Sequence, residues 1–199
     1  MRKVQDHYFK KAKKDNYPAR SVYKLEEAQK KYQFIKSGDM VLDFGCYPGS
    51  WSIYAARVVG PQGLVVGVDL QEAKKVSIAK AADIIWFCDD IMSDDIAGKM
   101  QEIRETFSVV LSDMAPRTSG NKWVDQQQSL TLVRRVLELA ASLLRKDGNL
   151  YVKVFEGEDF KEYVDSVRKS FKTVKIVKPT SSRSESPEVF VLGIGYSKK

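Results

Sequence analysis

A lysine interrupts one of the most apolar segments of the chain. Lys153 lies in the run NLYVKVF at residues 149–155, whose composition is that of a strand buried on both faces. An unpaired ammonium group there would lose much of its hydration free energy, so Lys153 needs a partner or a place at the exposed end of its strand. Asp113 closes the preceding apolar run, at 107–114. Because parallel strands end at one edge of a sheet, we expect a carboxylate and lysine pair at the ligand-binding edge.

A loop with two glycines follows the first apolar run. Residues 43–49 read DFGCYPG, in which glycine permits a tight turn and a close approach to a ligand. The spacing of Gly45 and Gly49 lacks the third glycine of the dinucleotide pattern G-x-G-x-x-G, and no P-loop lysine follows. The loop therefore favours a ligand without a phosphate group. S-adenosylmethionine, which has a charged amino acid end and an adenosine, fits this description.

Carboxylates follow the next two strand-like runs. Asp69 comes at the end of LVVGVDL, where its oxygens can accept hydrogen bonds from the two ribose hydroxyls of an adenosine. Asp89 and Asp90 come directly after the third run. An acid after any single strand could merely cap a helix, but that explanation does not account for the series. The glycine loop and the two acidic positions together predict a nucleoside-containing cofactor.

Strand-like and helix-like segments alternate along the rest of the chain. Apolar runs of strand length occupy residues 40–45, 64–70, 84–87, 107–114, 149–155, 173–178 and 189–196. Amphipathic stretches occupy residues 51–59, 72–81, 95–105, 127–145 and 158–171. This alternation predicts an α/β protein with a Rossmann-like, doubly wound, seven-stranded sheet. Since the Pro- and Ser-rich segment before the last run lacks a helical pattern, we predict that the last strand is antiparallel.

The positive charge is concentrated at the beginning of the chain. The net charge is +7, and residues 1–36 contain eleven basic and four acidic residues, whereas residues 37–199 contain 22 of each. Five aromatic residues are interleaved with the basic ones: Tyr8, Phe9, Tyr17, Tyr23 and Tyr32. This pattern suits phosphate contacts and base stacking on a polyanion, and the alternative is a solvated lysine-rich helix. We expect residues 1–36 to be a basic docking segment within the same domain as residues 37–199.

Other classes of protein are disfavoured by composition. A length of 199 residues favours one domain, and no apolar run is long enough to span a membrane. Cys46 and Cys88 lack the spacing of a disulfide framework or a zinc site, so no metal is predicted. The single histidine, His7, lies in a polar basic segment and leaves a serine triad without a base. We predict a cytoplasmic monomer that does not bind membranes.

Five short motifs together resemble those of the FtsJ-type RNA ribose 2′-O-methyltransferases. They are RSVYKLEE (20–27), DFGCYPGSW (43–51), LSDMAP (111–116), VKVFEG (152–157) and RSESPE (183–188). Each motif is weak alone and specific in combination, and the resemblance covers nearly the whole chain. It implies the class I methyltransferase fold, with residues 37–199 as the methyltransferase domain, and S-adenosylmethionine as cofactor. It also implies a catalytic tetrad of Lys24, Asp113, Lys153 and Glu188.

The resemblance assigns roles to individual residues. Lys153 is the expected base, Lys24 and Glu188 support it, and Asp113 orients it and contacts the methyl donor. The expected cofactor-binding residues are Gly45, Gly49, Trp51, Asp69, Asp90 and Asp113, with Asp89 as the alternative to Asp90. Ser50 stands where many relatives have a glycine, which should change the flexibility of the loop rather than its chemistry.

The resemblance implies an RNA substrate and leaves alternatives. A compact chain of this kind is most similar to enzymes that methylate a uridine of large-subunit ribosomal RNA, free or in the assembled subunit. A tRNA methyltransferase is the second possibility and a cap methyltransferase the third. Two other classes are a non-catalytic RNA-binding protein on the same fold and a nicotinamide-dependent oxidoreductase. All four tetrad residues are present, which argues against the former, and the missing third glycine argues against the latter.

Overall fold

The computed structural model of the chain describes residues 2–73, 76, 78–116, 119–183 and 185–197, with side chains from residue 7 onward. Seven strands are present in the described part, as predicted. They are β1 Met40–Phe44, β2 Leu64–Asp69, β3 Asp83–Cys88, β4 Phe107–Ser112, β5 Leu144–Phe155, β6 Phe171–Val177 and β7 Glu188–Tyr196. The helices in the same part are α1 Arg2–Lys14, α2 Val22–Tyr32, α3 Ser50–Val59, α4 Ile96–Ile103, α5 Lys122–Leu143 and α6 Phe160–Ser170.

The strands form one sheet in the order β3-β2-β1-β4-β5-β7-β6. The first five strands of the chain are parallel, and β7 runs antiparallel to both β5 and β6. The strand order reverses between β1 and β4, which is where an open α/β sheet binds its ligand. The predicted fold class and the antiparallel last strand are thus confirmed.

Two connections differ from the predicted ones. The helix predicted over 72–81 does not form among the described residues between β2 and β3, so the prediction is wrong for those residues. Residues 74, 75 and 77 lie outside the described part of the chain. α5 begins five residues earlier than predicted, because the side chain of Asn121 accepts hydrogen bonds from the main-chain N–H groups of Trp123 and Val124. Periodicity alone did not reveal this polar cap.

The sheet is covered on both faces by apolar side chains. Successive residues of a strand point to opposite faces, so Leu42 joins the larger core cluster with α5 while Val41 joins the cluster with α2 and α3. On β5, Tyr151 belongs to the α2 face. Lys153, two residues further on, therefore points to that same face. None of the described helices is long and apolar enough to cross a membrane.

Candidate active site

Four charged side chains from distant parts of the chain meet at one edge of the sheet. Lys153 Nζ lies 2.9 Å from Asp113 Oδ1, and Lys24 Nζ lies 3.7 Å from the same oxygen. Lys24 Nζ is also 2.9 Å from each carboxylate oxygen of Glu188. We call these four residues the ion-pair cluster. The structure brings together all four residues of the predicted tetrad.

Strand ends and one helix position the cluster. Asp113 directly follows β4, Lys153 lies near the end of β5, and Glu188 is the first residue of β7. These three strands are neighbours in the sheet, so the three residues lie close together at one edge of it. Lys24 lies on α2 and completes the cluster from the face of the sheet toward which Lys153 points.

Two aromatic side chains of the core hold α2 in place. Trp51 Nε1 donates to the main-chain oxygen of Ser21 at 2.9 Å, and the Tyr151 hydroxyl donates to that of Lys24 at 3.2 Å. The Trp51 and Tyr151 rings stack with their centroids 5.5 Å apart. The Trp51 side chain is buried in the core and holds the beginning of α2. The predicted contact of Trp51 with the cofactor stays a prediction, and its main chain would have to provide that contact.

Glu27 provides a third attachment of α2, which sequence reasoning missed. Its carboxylate accepts hydrogen bonds from the main-chain N–H groups of Thr180 and Ser181, at 2.7 and 3.1 Å, and from the Thr180 hydroxyl at 3.0 Å. This contact joins α2 to the loop that precedes Glu188. The two partners Lys24 and Glu188 are thus fixed relative to each other by a contact outside the cluster.

The ion-pair cluster is largely removed from solvent. Its side chains retain between 7% and 17% of their exposure, so each charge depends on its neighbours rather than on water. Burial opposes ionisation of Glu188, but the nearby ammonium groups of Lys24 and Lys153 prevail and lower the pKa of that carboxyl. Lys153 also donates to the main-chain oxygen of Asp113, and its contact with Asp113 Oδ1 is an ion pair without hydrogen-bond geometry.

The predicted glycine loop lies beside this cluster. Gly45 has a φ of 76° and Gly49 a φ of 107°, a backbone region that favours glycine. A Cβ atom on Gly45 would come within 2.1 Å of Met114 Cγ, one residue beyond Asp113. Gly45 therefore serves two purposes: it permits the turn after β1, and it lets the loop approach the catalytic segment closely.

The structure distinguishes the acidic residues after β2 and β3. Asp69 accepts the main-chain N–H of Tyr47 at 3.0 Å and that of Gln71 at 2.9 Å, which orients its carboxylate at the end of β2. Asp89 is engaged elsewhere, since its carboxylate lies 2.7 Å from Lys99 Nζ. Asp90 is exposed beside it. This arrangement supports Asp90 over Asp89 as the adenine contact.

A narrow cleft lies next to these acidic residues. It is lined by Cys46, Gln71, Glu72, Ala73, Trp86, Phe87 and Cys88. Leu70 and Met92 follow Asp69 and Asp90 closely in the chain and remain 65% and 46% exposed. Large apolar side chains beside the two carboxylates that are predicted to bind the nucleoside are suited to the faces of an adenine ring. Sequence reasoning missed them because isolated apolar residues in loops carry no pattern.

Asp43 is a buried carboxylate within the same region. Ser52 Oγ donates to its Oδ2 at 2.6 Å, whereas Oδ1 has no hydrogen-bond partner among the described residues. Burial, followed by the negative charges of Asp113 and Asp69, raises the pKa of Asp43 to about 7. Three carboxyl groups that affect one another favour a positively charged ligand over an anionic one. The site thus fits S-adenosylmethionine, which carries a sulfonium and an ammonium group, better than a dinucleotide.

The fold, the cofactor cleft and the adjacent ion-pair cluster define a Rossmann-like methyltransferase. The FtsJ-like methyltransferase model matches residues 17–196, and the chain belongs to that family, which confirms the predicted enzyme class and its cofactor, S-adenosylmethionine. It is 57% identical to the ribosomal RNA large subunit methyltransferase E of Desulfotalea psychrophila, over all of this chain and 98% of that relative. Identity to the protein of that name from Desulfosudis oleivorans is 45%, over all of this chain and 93% of that relative.

A solved structure agrees with the fold. A ribosomal RNA methyltransferase of Plasmodium falciparum superposes with a TM-score of 0.76 and 24% identity, covering 90% of this chain and 98% of the other. At this level of identity the likeness concerns the fold alone.

The raised pKa of Asp43 predicts an unusual dependence of stability on pH. Between its ordinary pKa of 3.8 and about 7, the folded protein keeps a proton that the unfolded chain has released. The free energy of unfolding should therefore fall as pH rises through that window, by at most roughly 1.4 kcal/mol per pH unit. Glu188, whose pKa is lowered, contributes in the opposite sense and at lower pH.

Urea unfolding of the wild type and of Asp43→Asn between about pH 5 and 8 tests this expectation. The substitution should flatten the dependence, while Asp94→Asn, which changes an exposed carboxylate, should leave it unchanged. Equal slopes for the wild type and Asp43→Asn would contradict the assignment.

The geometry of the acidic residues predicts their contributions to cofactor affinity. Asp69→Ala should weaken S-adenosylmethionine binding by roughly 10- to 100-fold, because two ribose hydroxyls lose a charged acceptor. Asp69→Asn keeps an oxygen that can accept the hydrogen bonds of the loop, so its loss of cofactor affinity should be smaller. Asp90→Ala should weaken binding more than Asp89→Ala, since Asp89 already pairs with Lys99. Calorimetric titration measures all four variants, and a larger loss for Asp89→Ala than for Asp90→Ala would reverse the assignment.

Proposed function

We propose that this methyltransferase transfers the methyl group of S-adenosylmethionine to a ribose 2′-hydroxyl of RNA, at a uridine of large-subunit ribosomal RNA. The observation that carries the proposal is the buried ion-pair cluster at the end of β5, directly beside the cofactor cleft. Methyl transfer to a hydroxyl requires a group that accepts the hydroxyl proton, and the cluster holds two lysines in a position to do so.

Lys153 is the residue to which we assign the role of base. Lys24 lies against both oxygens of Glu188, so its ammonium group is already engaged by that carboxylate. Lys153 is instead positioned by Asp113, through its carboxylate and its main-chain oxygen. Lys153 is therefore the lysine that we place at the end of β5 to accept the hydroxyl proton.

The reaction needs little more from the protein than positioning. S-adenosylmethionine supplies a methyl group activated by a positively charged sulfur. Lys153 Nζ would accept the proton that the ribose hydroxyl gives up. Asp113 orients Lys153, and Glu188 holds Lys24. Much of the acceleration then comes from the fixed geometry of these groups.

The basic N-terminal segment is the proposed docking surface for RNA, in a revised form. Tyr23 is buried and its hydroxyl donates to Asp15, and Tyr17 lies under the Arg57 guanidinium, so neither can stack on a base. Phe9, by contrast, is 51% exposed. Lys13, which lies 4.9 Å from the centre of the Phe9 ring, is also exposed. Phosphate contacts therefore account for most of the expected binding.

Three basic residues near the last strand, Lys175, Lys178 and Arg183, are further candidates for contacts with RNA. Lys178 Nζ instead donates to the main-chain oxygens of Ser186 and Glu188, both at 2.6 Å, and so holds the loop before β7. Lys175 is exposed on β6 and stays a possible phosphate contact. Arg183 lies in the loop between β6 and β7, and its contact with RNA stays a prediction.

The choice of substrate rests on relatives that this chain matches over its whole length. Their name assigns them to the large ribosomal subunit. For this chain we propose large-subunit RNA, free or assembled, as the substrate, a cytoplasmic location and a monomeric state. Mapping ribose 2′-O-methylation in total RNA from a deletion strain, with and without the restored gene, tests the proposal. A missing methyl group in tRNA, with ribosomal RNA intact, would establish the alternative.

The assignment of the base predicts the behaviour of two substitutions. Lys153→Ala should lower turnover by at least roughly 100-fold, because the proton acceptor is lost. Lys153→Arg should be similarly inactive, since a guanidinium does not deprotonate at usable pH. Rates are measured with saturating methyl donor and unmethylated ribosomal RNA, and calorimetry checks that cofactor affinity is retained.

Lys172→Ala is the matched control, because it removes an exposed lysine that is paired with Asp147. It should keep the wild-type rate. If Lys153→Arg kept most of the wild-type rate, Lys153 would act as a fixed positive charge and not as a base.

The docking proposal predicts a change in the salt dependence of RNA binding. Lys10, Lys13 and Lys14 are exposed, whereas Lys11 lies 4.2 Å from the centre of the Tyr23 ring and is left unchanged. Changing the three exposed lysines to Glu should raise the KM for RNA. It should also reduce the slope of log affinity against log salt by roughly 0.7 to 0.9 for each phosphate that the variant no longer neutralises.

Cofactor affinity should not change in this variant. Lys146→Glu, an exposed charge reversal near the beginning of β5, is the control and should keep the wild-type slope. If the triple variant also kept that slope, RNA would dock elsewhere.

A further inference from the structure

A large aromatic side chain stands exposed at the start of α5. Trp123 retains 59% of its exposure, the highest fraction among the exposed aromatic residues in the described part of the chain. Its neighbour Lys122 is exposed too. The beginning of the helix does not need the indole ring, because the Asn121 side chain already caps the first main-chain N–H groups. The exposed indole ring is therefore available to contact a partner outside the chain.

The first turn of α5 is fixed beside the catalytic edge of the sheet. Gln126 Nε2 donates to the main-chain oxygen of Glu156 at 2.7 Å, directly after β5. A Cβ atom on Gly157 would come within 2.5 Å of the Gln126 side chain, so helix and strand end are in close contact. Trp123 precedes Gln126 by three residues and shares its face of the helix, one turn nearer the beginning.

These positions place Trp123 at the rim of the ion-pair cluster rather than inside it. Glu156 is three residues beyond Lys153, which is roughly 10 Å of extended chain. The three residues from Gln126 back to Trp123 add a helical rise of about 4.5 Å. Trp123 therefore lies within reach of a nucleotide that flanks the methylated one.

We propose that Trp123 is a stacking platform for an unpaired base of the RNA that flanks the methylated nucleotide. This inference rests on the proposed function and adds a recognition site to it. An indole ring offers a flat face to any base, and an unpaired base exposes the matching face. The positive charge of Lys122 beside the ring suits the phosphates of the same strand, which favours RNA over an apolar protein partner.

Steady-state kinetics of Trp123→Ala and Trp123→Phe with unmethylated ribosomal RNA test the proposal. The Ala variant should raise the KM for RNA by roughly 5- to 100-fold, the range expected when one base loses its stacking partner. The Phe variant, which keeps an aromatic face, should restore most of the affinity. S-adenosylmethionine affinity should remain that of the wild type in both variants.

The salt dependence of RNA affinity separates stacking from charge. Stacking neutralises no phosphate, so Trp123→Ala should weaken binding equally at every salt concentration and leave the slope unchanged. Lys122→Ala should reduce the slope. Ile85→Ala is the matched control, because it also removes an exposed apolar side chain. Ile85 lies on β3, which two strands separate from β4, so its loss should leave the KM for RNA unchanged.

Two results would overturn the inference while leaving the proposed function intact. The first is that the wild type methylates ribosomal RNA and Trp123→Ala has the same KM for RNA. The second is that Trp123→Ala keeps its RNA affinity but loses a self-association of the wild type that sedimentation detects. Trp123 would then belong to a protein interface. A wild-type protein that methylates no ribosomal RNA would instead refute the proposed function, and the inference with it.

Discussion

The structure of the site depends on keeping four charges buried together. Removing one partner from a buried ion pair leaves an uncompensated charge, which is strongly destabilising. Lys153 is accommodated in an apolar strand only because Asp113 ends the neighbouring strand, and Lys24 and Glu188 complete the set. Each of the three strands must therefore begin or end at a defined residue, and α2 must pack at a defined position along the sheet. The charges thus constrain the register of the fold as well as supplying its chemistry.

The same constraint gives α2 two functions. It carries Lys24 into the cluster, and it follows directly after α1, where exposed lysines are available for phosphates. Trp51, Tyr151 and Glu27 hold α2 from three directions. The chain from α1 thus leads into a helix whose position relative to the ion-pair cluster is set by contacts with the core and with the loop before β7.

The sheet could be predicted from the sequence because buried parallel strands leave long apolar runs between polar loops, as in the runs that contain Val66 and Val110. The pair of Lys153 and Asp113 could be predicted from the residues themselves, since a lysine in such a run demands a partner, whereas Lys24 and Glu188 were expected from the family resemblance. The role of Trp51 could not, because a motif position does not reveal whether the ring faces the cleft or the core. Glu27 was missed for a related reason: its acceptor role depends on a loop more than 150 residues away.

Charge conservation links the two halves of the site. The negative charges of Asp69 and Asp113 both act on Asp43, and Asp113 also contacts the two lysines of the ion-pair cluster. In the proposed reaction, S-adenosylmethionine would give up its sulfonium charge with the methyl group, and Lys153 would take up the ribose proton next to Asp113. The net charge of the buried region would then stay the same. The spent cofactor would keep its ammonium group but lose the sulfonium charge, so the carboxyl groups would attract it less strongly than they attract the methyl donor.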